Sequence, residues 1–182
     1  MLNIKRIACQ LGSADGAEIA EAALVLPLVF MLLLGIVWFG RAFNIYSTIQ
    51  QAAQQGAITA ARAPCATCGD GTTFPTDQTV DNAISAVMQA SNLDPTQILA
   101  SSSAPSPPSC VSSPPPPPAP CTFTNNITIC RQVLLNFPAS SQSPQCGTMV
   151  SFQYPFQFYL PFTSLNMQQI KLAAQAQSRM EN

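Results

Sequence analysis

From Ala22 to Gly40 the chain reads AALVLPLVFMLLLGIVWFG, apolar throughout and without a charged residue. As a helix this run spans roughly 28 Å at ~1.5 Å per residue, close to the thickness of a bilayer core. Trp38 and Phe39 stand at its far end, where amphipathic aromatic side chains favour the membrane interface. Lys5 and Arg6 precede the run and Arg41 follows it, a bias that favours a cytoplasmic N-terminus. Pro27 lies inside the run. It would cost ~3 kcal/mol in a soluble helix, but a membrane helix accommodates it because neighbouring groups satisfy the freed carbonyl. Asp15, Glu18 and Glu21 lie between the basic pair and the apolar run, and no small-x-small site follows closely, which argues against a cleaved secretory signal. A carboxylate at the mouth of such a helix is costly in lipid and usually has a function.

Past Arg41 the period becomes helical and amphipathic. Ile45, Ile49, Ala52, Ala53, Gly56, Ala57 and Ala60 recur every three or four residues, with Asn44, Ser47, Gln50, Gln51, Gln54 and Gln55 between them. This small-residue face packs either on the chain's own domain or against neighbouring subunits, since small residues permit close helix approach. Pro64 ends the helix, which is expected over about Ala17 to Ala63. A second helix is expected over Asp77–Asn92, with Val80, Ile84, Val87 and Met88 on one face and Thr76 or Asp77 as its cap. Ser101 to Pro120 is serine- and proline-rich, includes the run Pro114–Pro118, and is expected to be extended and largely solvated.

Beyond it the period falls to two. Asn126–Val133 is rich in β-branched residues, and Val150, Phe152 and Tyr154 alternate with Ser151 and Gln153, as in a half-buried strand. Phe156, Phe158 and Leu160 extend the apolar content but are interrupted by Pro155 and Pro161. Ile170, Leu172, Ala174, Ala176, Ser178 and Met180 also alternate with polar or small neighbours, although these residues have helix propensity. The pattern is expected to prevail and give a strand. The fold class that results is α+β, with a long N-terminal helix packed against a small antiparallel sheet.

Composition narrows the function. The 182 residues are only 8% charged with a net charge of −1, so no basic field is present for nucleic acid. There is no histidine, which removes Ser-His-Asp and Cys-His catalysis and every zinc site that needs histidine. No phosphate-binding glycine loop, metal-ligand cluster or catalytic carboxylate pair occurs, so neither a cofactor nor a small-molecule substrate is expected. Asp70, Asp77, Asp81 and Asp94 suit solvated turn and capping positions.

Cys65, Cys68, Cys110, Cys121, Cys130 and Cys146 lie beyond the membrane run, and Cys9 before it. Six cysteines in an exported domain suggest a disulfide framework. Cys110 and Cys121 bracket the proline run, which makes a bridge between them attractive. Cys65 and Cys68 are open to three readings: a redox pair, half of a zinc site, or structural disulfides. A redox pair lacks its strand-to-helix context here, and a zinc site needs two further thiolates.

The stretch GAEIAEAALVLPLVFMLLLGIVWFGRAFNIYSTIQQAAQQGAITAAR, Gly16 to Arg62, resembles the TadE-like family, minor pseudopilins of the Tad (tight adherence, Flp-type) pilus machinery. The resemblance rests on Gly16, Glu21, the run Ala23–Pro27, Gly40-Arg41 and the small-residue tail from Gln51 through Ala61. Val150–Pro155 and the closing Arg179-Met180-Glu181 also look similar. Asp15 and Ala22 depart from the pattern, which commonly has a basic residue near the glycine and an aromatic after the glutamate. The resemblance implies a cytoplasmic leader over 1–16, cut between Gly16 and Ala17 by a prepilin peptidase. A transmembrane helix over 17–40, an exported continuation over 41–63 and a small Cys-rich exported domain over 64–182, with a Pro-rich loop at 101–120, would follow. It further implies a single-pass protein of the bacterial inner membrane that assembles with other pilins and the Tad platform. Glu21 would pair with the new amine of a neighbouring subunit, offsetting two charges in low dielectric; otherwise Glu18 and Glu21 simply lie in the headgroup layer. The alternative is a signal-anchored, disulfide-bonded exported binding module without a pilus role.

Overall fold

The computed structural model describes residues 14–62, 74–101, 106–110, 118–136, 145–157 and 169–180. Two compact units divide the chain between Phe43 and Asn44. The first described element is helix α1, Ala14–Ala61, with Pro27 inside it. It begins three residues earlier and ends two earlier than its periodicity suggests. Arg62 still donates its N–H to the Ile58 carbonyl at 3.1 Å; Pro64, expected to end the helix, lies outside the described residues.

Helix α2, Asp77–Ala90, starts as its sequence predicts. Thr76 is the N-cap, its side chain accepting from the Thr79 N–H, and Asp77 supplies a carboxylate in the first turn. At its far end Asn92 takes a left-handed φ of 57°, and the N–H of Leu93 returns to the Met88 carbonyl at 2.9 Å. A short 3-10 turn, Pro95–Gln97, follows, capped by Asp94.

Four strands form one antiparallel sheet in sequence order: β1 (Cys121–Thr124), β2 (Ile127–Leu134), β3 (Cys146–Phe156) and β4 (Ile170–Arg179). Asn125 and Asn126, with φ of 47° and 66°, make the two-residue turn between β1 and β2. That turn matches the twist of the flanking strands only when both central residues have positive φ, and asparagine tolerates it. β3 and β4 pair without a break over ten residues, from Gly147↔Arg179 to Phe156↔Ile170. β4 is therefore a strand, as its alternation indicated, with Ala174 and Ala176 buried and Ala173, Gln175 and Gln177 exposed. Pro155 does not interrupt β3. Gln153 exchanges both main-chain bonds with Leu99, so Pro155, two residues on, turns its missing N–H to that same side, away from β4. Phe158 and Leu160 lie outside the described residues.

The larger core of the 44–182 unit lies on one face of this sheet, and a smaller cluster of Ala119, Cys130, Val133 and Met149 is buried apart from it. Ile49, Ala52, Ala53, Ala57 and Ala60 of α1 and Val80, Ile84 and Met88 of α2 pack with Ile127, Ile129, Val150, Phe152, Tyr154, Ala174 and Ala176. The small-residue face of α1 thus packs on its own domain. Gly56 permits a close approach of α2: a Cβ there would stand 2.7 Å from Ile84 Cδ1. The Thr148 hydroxyl, fully buried, donates to the Ala57 carbonyl at 3.0 Å and ties β3 to the helix.

A bulge at Gln132, with φ of 57°, shifts the register of β2 between Cys130 and Val133. Beyond it β2 acquires a new neighbour: Cys110 donates to the Gln132 carbonyl at 2.7 Å and Leu134 to the Pro108 carbonyl at 2.9 Å. Pro108 in turn bridges to Pro118, and Ala119 donates to the Pro107 carbonyl at 2.8 Å. The serine- and proline-rich stretch is therefore not largely solvated at its described ends, where Pro107, Ser109 and Ala119 are buried. Their main chain completes the sheet rather than facing water.

The expected bridge between Cys110 and Cys121 is not formed. Cys110 bonds to Cys146 and Cys121 to Cys130. Cys121 and Cys130 are directly paired on β1 and β2 with Cα atoms 4.0 Å apart. The bulge carries Cys110 to the start of β3, with Cα atoms 5.6 Å apart. Cys65, Cys68 and Cys9 lie outside the described residues.

Candidate functional site

The site the sequence singles out is the N-terminal part of α1. Gly16 and Ala17 lie in its first turn, so a protease acting on the bond between them must draw an extended strand from a helix end, where fraying is easiest. Glu21 follows one turn later and is exposed, as is Glu18. Residues three apart share a helix side, so the two carboxylates face the same way. From there the surface is apolar on all sides: Leu24, Val25, Leu26, Val29, Phe30 and Met31, which together go round the helix, are each exposed. Uniform exposure of large apolar side chains suits lipid, not water. Among the described residues this is the one helix long and apolar enough to cross a membrane.

In the 44–182 unit two of the four aspartates depart from the solvated positions expected for them. Asp81 is buried, and its Oδ2 accepts from Asn125 Nδ2 at 2.7 Å. Asp77 forms an ion pair with Arg131 Nη1 at 2.6 Å, while Nη2 donates to the Pro75 carbonyl at 2.8 Å. Burial pushes the Asp77 carboxyl up, but hydrogen bonds from Arg131 and Thr122 and the guanidinium charge outweigh it and hold the carboxyl below its ordinary value. Asp94 does cap a turn, accepting from the Thr96 N–H at 2.9 Å and hydroxyl at 2.8 Å. Those two bonds lower its pKa as well. Asp70 lies outside the described residues.

A groove of about 560 Å³ lies between α2, the 3-10 turn and the β1–β2 turn, lined in part by Asp81, Ser85, Gln89, Asp94, Asn125 and Asn126. Sequence reasoning missed it because the lining comes from three separate segments, none with a motif. Among the described residues no group of three or more cysteines and acids is placed to hold a metal ion.

The family model described as TadE-like protein matches residues 16–57. The matched region covers Gly16, Ala17, Glu21, the apolar run and most of the small-residue face. The C-terminal likenesses at Val150–Pro155 and Arg179–Glu181 fall outside it. No curated protein and no solved structure matches the chain. Over residues 16–57, therefore, the chain is similar to TadE-like proteins.

Proposed function

We propose that this chain is a structural subunit of a Tad-type adhesive pilus, a minor pseudopilin whose work is assembly and not chemistry. In this reading a prepilin peptidase cuts between Gly16 and Ala17. The apolar run then holds the protein in the inner membrane, with the N-terminus cytoplasmic and the 44–182 unit exported. The observation that carries the reading is the coincidence of the TadE-like match with the helix whose apolar surface is exposed on all sides. Two disulfides in the 44–182 unit fit an oxidising compartment outside the cytoplasm.

Cleavage would free an α-amino group at Ala17, one turn before Glu21. In the low dielectric of a subunit bundle the Glu21 carboxylate and a neighbour's amine offset each other's desolvation, which favours one axial register between subunits. Other pilins and the Tad platform would be the partners. Mass spectrometry of the mature N-terminus, from native membranes, tests the processing step. A start at Ala17 is expected; a start at Met1 overturns it and leaves an anchored exported module. Glu21→Ala is expected to yield processed protein that fails to enter the pilus. Normal incorporation would remove Glu21 from the mechanism.

A further inference from the structure

At the far end of the uncharged run and just past it, α1 exposes phenylalanines that an ordinary exported helix would bury. Phe39 is 74% and Phe43 72% exposed, although Phe43 lies beyond the first charged residue, Arg41. The Arg41 guanidinium sits 5.9 Å from the centroid of the Trp38 ring. At roughly 100° per residue, Trp38 and Arg41 share one side of the helix and Phe39 and Phe43 another, and together they cover about 200° of its circumference. A partner helix would take a narrow stripe. A band this broad, continuous with the apolar run, suits a surface that surrounds the helix. Trp38 and Arg41 are also the side chains suited to that depth: an indole favours the headgroup level, and a guanidinium reaches phosphate while its stem lies along apolar surface.

We propose that Trp38, Phe39, Arg41 and Phe43 form a collar seated in the lipid headgroup layer, with Arg41 reaching lipid phosphates and the lipid-facing surface ending at Phe43 instead of Gly40. The inference rests on the reading of α1 as a membrane anchor. It places Arg41 within the interface and not outside it.

The chain has a single tryptophan, which makes depth readable by fluorescence. The full-length protein is reconstituted in phosphatidylcholine–phosphatidylglycerol vesicles. Quenching is compared between acyl-brominated lipids and aqueous iodide for Trp38→Phe/Phe43→Trp and for Trp38→Phe/Leu28→Trp. Both reporters are expected to be quenched by brominated lipid, with iodide quenching several-fold weaker than for free N-acetyltryptophanamide. Strong iodide quenching at position 43, while the reporter at 28 senses lipid, overturns the collar. Protection from both quenchers at position 43 also overturns it, since protein would then cover the site. If the reporter at 28 does not sense lipid, the anchor reading falls instead. For Arg41, the native Trp38 reports: Arg41→Leu is expected to move its strongest quenching toward deeper bromine positions, and an unchanged depth overturns the role of the guanidinium.

Discussion

Gly147 and Gly56 both sit where a side chain has no room, but the obstacles differ. A Cβ on Gly147 would meet the Ser178 carbonyl oxygen and the Leu135 side chain, whereas on Gly56 it would meet only side chains, Ile84 nearest. A carbonyl beside the β3–β4 ladder cannot retreat without loosening the pairing of Thr148 with Ser178. Ile84 can turn. Overpacking costs roughly 1–3 kcal/mol, and Gly147→Ala is expected at or above the top of that range, with Gly56→Ala below it. In denaturant unfolding Ile84→Val should restore part of the Gly56→Ala loss and none of the Gly147→Ala loss. Asp77 carries a pH signature. Its carboxyl is lowered from 3.8 in the fold, so the unfolded state takes up a proton first as pH falls. Its contribution is complete above the ordinary carboxylate value and is lost as pH drops through the lower folded value. The stability difference between the native chain and Asp77→Asn, roughly 1 kcal/mol for a part-exposed pair, should hold at pH 6 and shrink steadily below about pH 5.

Among the elements, period was a better guide than propensity. α2 and its Thr76 cap follow from local spacing, and so does β4, whose alanines and glutamines favour a helix in isolation. Pairing along all of β3 outweighs that preference. What could not be read is non-local. The partner of Cys110 depends on the bulge at Gln132, which lays residues 108–110 beside β2. The burial of Asp81 depends on Asn125, 44 residues away. The candidate helix was legible because each feature, from Gly16 to the small-residue face, is local in sequence. The two bridges should differ in worth. Cys110 and Cys146 are 36 residues apart, Cys121 and Cys130 only 9. In the chain-entropy model these loops give about 4 and about 3 kcal/mol. The shorter one lies within a hairpin already held by its turn and four residue pairs. Replacing Cys110 and Cys146 by serine should therefore lower the unfolding midpoint in denaturant more than replacing Cys121 and Cys130.

At the scale of the whole molecule, α1 contributes to both compact units. Its residues 49–60 supply buried side chains to the same core as the sheet. A fragment beginning at Asn44 should fold with a cooperative thermal transition by near-ultraviolet circular dichroism. One beginning at Pro64 should show none, because the sheet face would lose Ile49 and four alanines. The short chain between Cys110 and Pro118 stands in a different position. Its entry is fixed by the bond from Cys110 to Gln132 and the bridge to Cys146, its exit by Pro118, Ala119 and the bridge at Cys121. Lengthening such a closed excursion costs only about 0.6 kcal/mol per doubling. The interval between these two anchored ends is therefore where a short foreign epitope should be accepted with the unfolding midpoint of the 44–182 unit nearly unchanged.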